Sequence, residues 1–387
     1  MHTSTMRRSA RAGLALVTSA FLLASCQNPD SRPEEETSAT APESSAPQSA
    51  TSSTSATTEE TTETSAAEHE GPRAAAEGHV VVLSTGGTIA STHDKTGAVV
   101  PTVTGSKLVE PLSGTFDKDK LTLEVKDIAK LDSSAMTLDD TDTIIEAVNK
   151  ELQRDDVDGV VVTHGTDSME ETAIAVDTFQ DSDKPVALTG AMRPFDDPDP
   201  DGPDNLALAV KTVTDPANRG RGTFIAFADH VIPARGAFKS DTAKADGFAN
   251  NNGKKQPQRP KALKFKPLGN TRVDIIAAYP GAPADLIQRS LDSGAEGIVI
   301  EGMGAGNIGD ELAQAAKAAA KKVPVVLTTR VDHGPVEGIY GGAGGGATLA
   351  DAGVISSGTL RAPQARMLLA AAISTDTDPA KLFPDAD

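Results

Sequence analysis

From position 79 onward the chain alternates between two apolar patterns. Short, nearly continuous apolar runs bounded by glycine, proline or polar residues occur at 79–84, 159–164, 185–190, 223–228, 273–279, 297–302 and 324–329. Continuous rather than alternating apolar character predicts strands buried on both faces. Between them, 138–153, 169–180, 203–215, 283–294 and 308–322 repeat their apolar residues at helical spacing. Strands alternating with helices predict an α/β fold, with mainly parallel sheets covered by helices on both faces. Right-handed crossovers then line up the loops that follow each strand along one edge, where functional residues are expected.

A polar stretch, "NNNGKKQPQRPKALKFKPLGN" (250–270), interrupts this alternation. It reads as a linker between a larger amino-terminal domain (79–268) and a smaller carboxyl-terminal one (269–387). Before position 79 the pattern changes twice. Arg7, Arg8 and Arg11 precede the apolar stretch 12–24, too short to span a bilayer comfortably, as in a secretory signal. The signal ends in "LLASC", an apolar–small–small–Cys pattern that resembles a bacterial lipobox. Removal of 1–25 would leave Cys26 as a lipidated first residue. The alternative is an ordinary signal peptide cut nearby. Residues 27–78 are mostly Ser, Thr, Ala, Glu and Pro, with 11 acidic residues against Arg32 and Arg73. Such a segment has too little apolar surface to offset its chain entropy. It reads as a tether (26–78) for an exported protein, held at the outer face of the cell membrane or secreted.

Composition narrows the chemistry. A net charge of −19 argues against a nucleic-acid surface. One cysteine excludes an internal disulfide. The seven histidines show no metal-ligand spacing, so no metal is expected. "GMGAGNIG" (302–309) holds Gly304-x-Gly306-x-x-Gly309, a dinucleotide-like spacing, but Asp332 lies 26 residues past Gly306 rather than about 20. No cofactor is expected.

Three strand ends remain: "VVVLSTGGTIAS" (80–91), "VVVTHGTDSMEET" (160–172) and "TGAMRPFDDPDPDGPDNL" (189–206). Glycine after a strand lets backbone amides approach a ligand, and a following helix start favours negative charge. Each turn alone is equally a capped strand-to-helix turn. Two threonine-bearing turns of one kind suggest more. A threonine hydroxyl is a poor nucleophile unless a base or lysine assists it. Lys239, in "PARGAFKSDT" (233–242), is the candidate partner of a Thr–Asp–Lys set.

Together, "TGGTIAS", "THGTDSMEET", "TGAMRP…DGPDNL" and "SGTLRAPQAR" (357–366) resemble the bacterial asparaginase/glutaminase family, which uses a threonine nucleophile. The resemblance runs over nearly all of 79–387. It implies that Thr88 is the primary nucleophile, and that Thr166, Asp167 and Lys239 form a second triad. Asp167 would also bind the substrate's α-amino group. "LDSSAMT" (131–137) matches the family's substrate-carboxylate loop, giving Asp132, Ser133 and Ser134. Ala191 would offer its carbonyl to the leaving amide. Asn307 would reach the site of a neighbouring subunit in a homotetramer. The implied reaction is hydrolysis of L-asparagine to L-aspartate and ammonia through a β-aspartyl ester. The residues alone leave open which threonine attacks first.

Two departures stand out. The loop after the nucleophile (91–105) lacks the tyrosine found in many secreted members, and the chain has only Tyr279 and Tyr340. Another residue supports Thr88, or Tyr340 comes in from elsewhere, or turnover is low. Ser134 stands where secreted members often carry Gln. The rival readings are an amidohydrolase preferring glutamine or another amide, and an amino-acid-binding lipoprotein with weak catalysis.

Overall fold

A computed structural model describes residues 76–252 and 258–383, which all belong to one compact unit, His69–Asp387. The signal segment, the tether and Cys26 lie outside the described residues. The strands are β1 (Gly78–Gly86), β2 (Ser91–His93), β3 (Val99–Pro101), β4 (Leu121–Leu131), β5 (Gly159–Thr163), β6 (Val186–Thr189), β7 (Thr223–Phe227), β8 (His230–Pro233), β9 (Ala237–Lys239), β10 (Phe248–Asn250), β11 (Val273–Ala277), β12 (Gly297–Gly302), β13 (Val325–Thr329) and β14 (Ile355–Ser356). The helices are α1 (Gly105–Val109), α2 (Leu138–Leu152), α3 (Met169–Phe179), α4 (Gly202–Thr214), α5 (Asp285–Asp292), α6 (Asp310–Ala319), α7 (Gly346–Asp351) and α8 (Ala362–Ser374).

The first sheet has the order β4-β1-β5-β6-β7-β8, parallel except for the last strand. All five residues of β5 are buried, as their unbroken apolar run predicts. One face carries Val81, Leu83, Val160 and Val162 against α2 and α3; the other carries Val80, Val82 and Val161 against α1 and α4. The chain leaves β1 toward β4 on one side, then returns past β1 to add β5, β6 and β7 on the other. The direction therefore switches between β1 and β5, where an open parallel sheet forms its ligand crevice. Thr88 and Thr166 follow those two strands.

The second sheet is parallel, in the order β11-β12-β13-β14. Helices α5 and α6 cover one face and α8 the other, and α8 also packs on α3 of the first sheet. The described part of the segment read as a linker, 258–268, is a packed strap. Phe265 meets Phe179 edge-on at 5.2 Å, and Leu268 is fully buried with its N–H bonded to the Asp142 carboxylate.

Among the elements that fall outside the periodicity reading, three have a clear physical reason. β4 alternates charge with apolar residues because it is an edge strand; its Lys126 pairs with Glu151 at 2.7 Å on α2. The loop after the first threonine turn is a β2–β3 hairpin, which the glycine at 97 closes at φ 83°. Helix α8 is apolar almost all round, since it is buried between the second sheet and α3.

Candidate active site

The two threonine turns touch. β1 ends at Gly86, and Gly86 and the following Gly87 are both left-handed, at φ 108° and 79°. A side chain at Gly87 would run into the main chain of Gly165, and one at Gly165 into the Ser133 side chain. Glycine is required here for close approach as well as for dihedral freedom. The Gly87 N–H is already taken by the Leu131 carbonyl, at 3.1 Å. Thr88 then opens a short 3₁₀ turn, Thr88–Ala90. Among the described residues the Thr88 hydroxyl and the N–H groups of Thr88 and Ile89 have no hydrogen-bond partner. The turn thus presents a half-buried hydroxyl beside free donors at a helical start.

Thr166 and Asp167 lie in the turn between β5 and α3. Lys239 arrives at the end of β9, in a small hairpin with β10. Its ammonium donates to Thr166 Oγ1 at 2.9 Å and to Asp167 Oδ1 at 2.7 Å. Thr166 is buried, whereas the Asp167 side chain is half exposed. The Thr–Asp–Lys set read from sequence is therefore assembled in space.

Ser133 is buried under this turn. Its hydroxyl accepts the Asp167 N–H at 3.2 Å, and its carbonyl accepts the Ser168 hydroxyl at 2.7 Å. Asp132 and Ser134, both exposed, bind each other instead: Asp132 Oδ1 accepts the Ser134 N–H at 3.0 Å and its hydroxyl at 2.8 Å. The Asp132 carboxylate caps the turn Ser133–Ala135.

Ala191 is buried in the turn after β6. Two residues that the motif contains but the sequence reading gave no role build this turn. Asp201 accepts the N–H groups of Met192 and Arg193, each at 2.9 Å. Asn205 donates to the Gly190 carbonyl at 3.0 Å and accepts the Ala228 N–H at 2.8 Å. Gly190 packs directly on the His164 carbonyl.

His164 is fully buried. Its Nδ1 lies 2.7 Å from the Gly165 carbonyl and its Nε2 3.0 Å from the Thr172 hydroxyl. Burial pushes its pKa down to about 4, so the ring is neutral at physiological pH and serves the turn's shape.

Two further residues anchor the lysine. The Glu170 carboxylate accepts the Lys239 main-chain N–H at 2.5 Å. Burial raises its pKa to about 7, opposed by that bond and by the lysine charge. Gln364, from α8, accepts the Gly236 N–H at 2.8 Å and donates to Ala234 at 2.7 Å and to the Glu170 carbonyl at 3.2 Å. The "LRAPQAR" motif of the second sheet thereby buttresses β9. Neither role has a local sequence signal, because each depends on contacts between distant segments.

The remaining candidates lie elsewhere in this chain. Asn307 closes a turn after β12, with main-chain bonds of 2.8 Å to Met303 in both directions. Among the described residues its side chain makes no hydrogen bond. Gly304 and Gly306 are left-handed in that turn, and a side chain at Gly306 would strike Val336 at 2.6 Å. Tyr279 and Tyr340 are exposed, and among the described residues neither hydrogen-bonds Thr88. The hairpin after Thr88 is fastened by its own partners: Phe195 N–H to Ser91 at 2.8 Å and His93 N–H to Asp196 at 2.9 Å.

Comparison with known proteins gives one consistent result. Residues 79–260 match the family model "Asparaginase, N-terminal", and 272–383 match "Glutaminase/Asparaginase C-terminal domain". The L-asparaginase 2 of Escherichia coli is 34% identical over 341 residues, covering 80% of this chain and 92% of the relative. The L-asparaginase 2 of Bacillus subtilis is 32% identical over 324 residues, covering 79% and 84%. A crystal structure from Campylobacter jejuni, described as a "probable cytoplasmic L-asparaginase", superposes with a TM-score of 0.68 at 30% identity. It covers 79% of this chain and 98% of that one.

Proposed function

The chain belongs to the bacterial asparaginase family, and from that premise we propose a residue-level account of its reaction. The protein is an amidohydrolase that converts L-asparagine to L-aspartate and ammonia. Thr88 Oγ forms a bond to the side-chain amide carbon, and the carbon–nitrogen bond breaks. Ammonia leaves carrying the hydroxyl proton. Water then cleaves the β-aspartyl ester and restores the Thr88 hydroxyl. The free N–H groups of Thr88 and Ile89 are the donors for the oxyanion.

Thr166, Asp167 and Lys239 are the proton-handling set. Because the lysine donates to Thr166 Oγ1, the threonine's own proton is free to point toward the reacting nitrogen. The 2.9 Å contact between Lys239 and Thr166 is the observation that carries this reading, since substrate binding alone does not require a lysine there. Ser133 and Asp167 hold the substrate's carboxylate and amino groups, Ala191 presents its carbonyl to the leaving amide, and Asp132 and Ser134 shape the carboxylate loop. Asn307, with no side-chain bond in its own chain, serves a neighbouring copy in a homotetramer.

The signal-like segment, with Cys26 at its end, supports export as a lipid-anchored enzyme; a relative from Haemophilus influenzae is named a periplasmic L-asparaginase. Ammonia release by the full chain, with asparagine and glutamine compared, tests the reaction. No release from either by folded protein refutes it.

A further inference from the structure

We propose that Glu170 is a positioning residue for Lys239, whose carboxylate fixes the main chain that delivers the lysine to Thr166. The inference rests on the reading of Lys239 as part of the catalytic set. One short segment, 166–170, grips Lys239 at both ends. Thr166 and Asp167 hold the ammonium at 2.9 and 2.7 Å, and Glu170 holds the amide at 2.5 Å.

The arrangement is not explained by stability. Glu170 occupies the first turn of α3, where a carboxylate is favourable if it faces solvent. Here it turns inward onto β9 instead, and burial opposes its charge. The charged groups facing it are Lys239 across on β9 and Glu171 beside it on α3, with Arg366 of α8 acting on Glu171. Glu171 opposes the charge on Glu170 and Lys239 favours it.

β9 needs such an anchor because it is only three residues long and, among the described residues, pairs with β10 alone. Its turn is held from the far side by Gln364, which bonds the main chain at 234, 236 and 170. Glu170 fixes the remaining end, at the lysine itself. A carboxylate accepts the amide more strongly than a carboxylic acid does, so the grip strengthens as Glu170 loses its proton.

The test uses the full chain and two substitutions. Glu170→Ala removes the acceptor, and should lower kcat at least tenfold with KM within about threefold, since misplacing a catalytic group costs rate more than affinity. Glu170→Gln keeps an acceptor oxygen without the charge, and should recover most of that loss while removing any kcat inflection near pH 7. In parallel, the Lys239 amide resonance, read with ¹⁵N-lysine labelling, should titrate with a midpoint near 7 in wild type and stay flat in E170Q. A folded E170A variant with kcat within twofold of wild type overturns the proposal, as does a Lys239 amide resonance in E170A unshifted from that of wild type. If E170A does not fold, Glu170→Asp, whose carboxylate is one carbon too short to reach the amide, decides by the same two readouts. Wild-type protein that releases no ammonia refutes the functional reading instead, and the Lys239 amide shift between wild type and variant still tests the clamp.

Discussion

Lys239 Nζ lies 2.9 Å from Thr166 Oγ1, a contact between residues 73 positions apart. It joins the loop after β5 to the end of β9, and it makes the lysine part of the first sheet's ligand crevice. Replacing Lys239 by Met should keep the stem's packing and remove the charge. Loss of a positioned proton-transfer group costs about 10²–10⁴ in rate, so kcat should fall by that factor. Lys239→Arg should not rescue, because a planar fork cannot reproduce a point donor to both oxygens. Steady-state ammonia release checks both.

The two threonines should separate by step. Thr88→Ala removes the atom that carries the ester, so no covalent aspartyl adduct should be trapped on acid quenching. Thr166→Ala leaves that atom but removes the lysine's partner, so any adduct should form and decay more slowly. Mass spectrometry of quenched enzyme with asparagine reads the difference. An adduct on Thr88→Ala protein would show that Thr166 attacks instead.

Gly87 has a sharper structural requirement than either threonine. Its φ of 79° disfavours any side chain, and a Cβ would lie 2.4 Å from Gly165 N, main chain that cannot swing aside as a flexible side chain would. Gly87→Ala should therefore destabilise the fold by ~2–4 kcal/mol, read from urea unfolding, and should reduce activity in the fraction that folds. Gly97→Ala, also left-handed but with open space around it, should cost only about 1 kcal/mol.

Part of the site is legible in the sequence because its signals are local. The strand-end threonines stood out because glycine and a following helix start are local signals. Lys239 was found because its strand followed a recognisable apolar run. Glu170, Gln364, Asp201 and Asn205 were not assigned roles, although all lie in quoted motifs. Glu170 reaches a residue 69 positions away and Gln364 one 128 positions away, so no pattern within a window encodes them. β4 escaped for a different reason: at a sheet edge, half its residues face solvent and its charges pair with α2.

Two titratable groups beside the threonine turn, His164 and Glu170, predict opposing pH dependences. His164 has a folded pKa near 4 against 6.5 for an ordinary histidine, so the unfolded chain takes up the proton first as pH falls. Its contribution is present above about pH 6.5 and is lost on falling toward 4, on the order of 3 kcal/mol. Glu170, raised from 4.5 to about 7, behaves in the reverse sense: its contribution is present below 4.5 and is lost as pH rises through 7. Urea midpoints between pH 4 and 7.5 should therefore fall more steeply on the acid side for Glu170→Gln than for wild type. They should flatten there for His164→Gln. Identical profiles would mean that neither group is held in the protonation state its burial imposes.

Gln364 offers a test of how the second sheet serves the first. It is buried, and its amide bonds both Ala234 and Gly236 on the turn that leads into β9. Gln364→Ala would leave the buried Gly236 N–H unpaired, costing ~1–3 kcal/mol, while the Ala234 carbonyl keeps the Ala237 N–H at 3.1 Å. Gln364→Glu is more informative, because its size is unchanged. A carboxylate can still accept the Gly236 N–H but cannot donate to Ala234 or to the Glu170 carbonyl. Both variants should lose kcat through displacement of Lys239, with KM little changed, although Gln364 contacts neither threonine. If Gln364→Glu keeps full kcat while losing stability, the link from α8 supports the fold and leaves the lysine's placement to Glu170, Thr166 and Asp167.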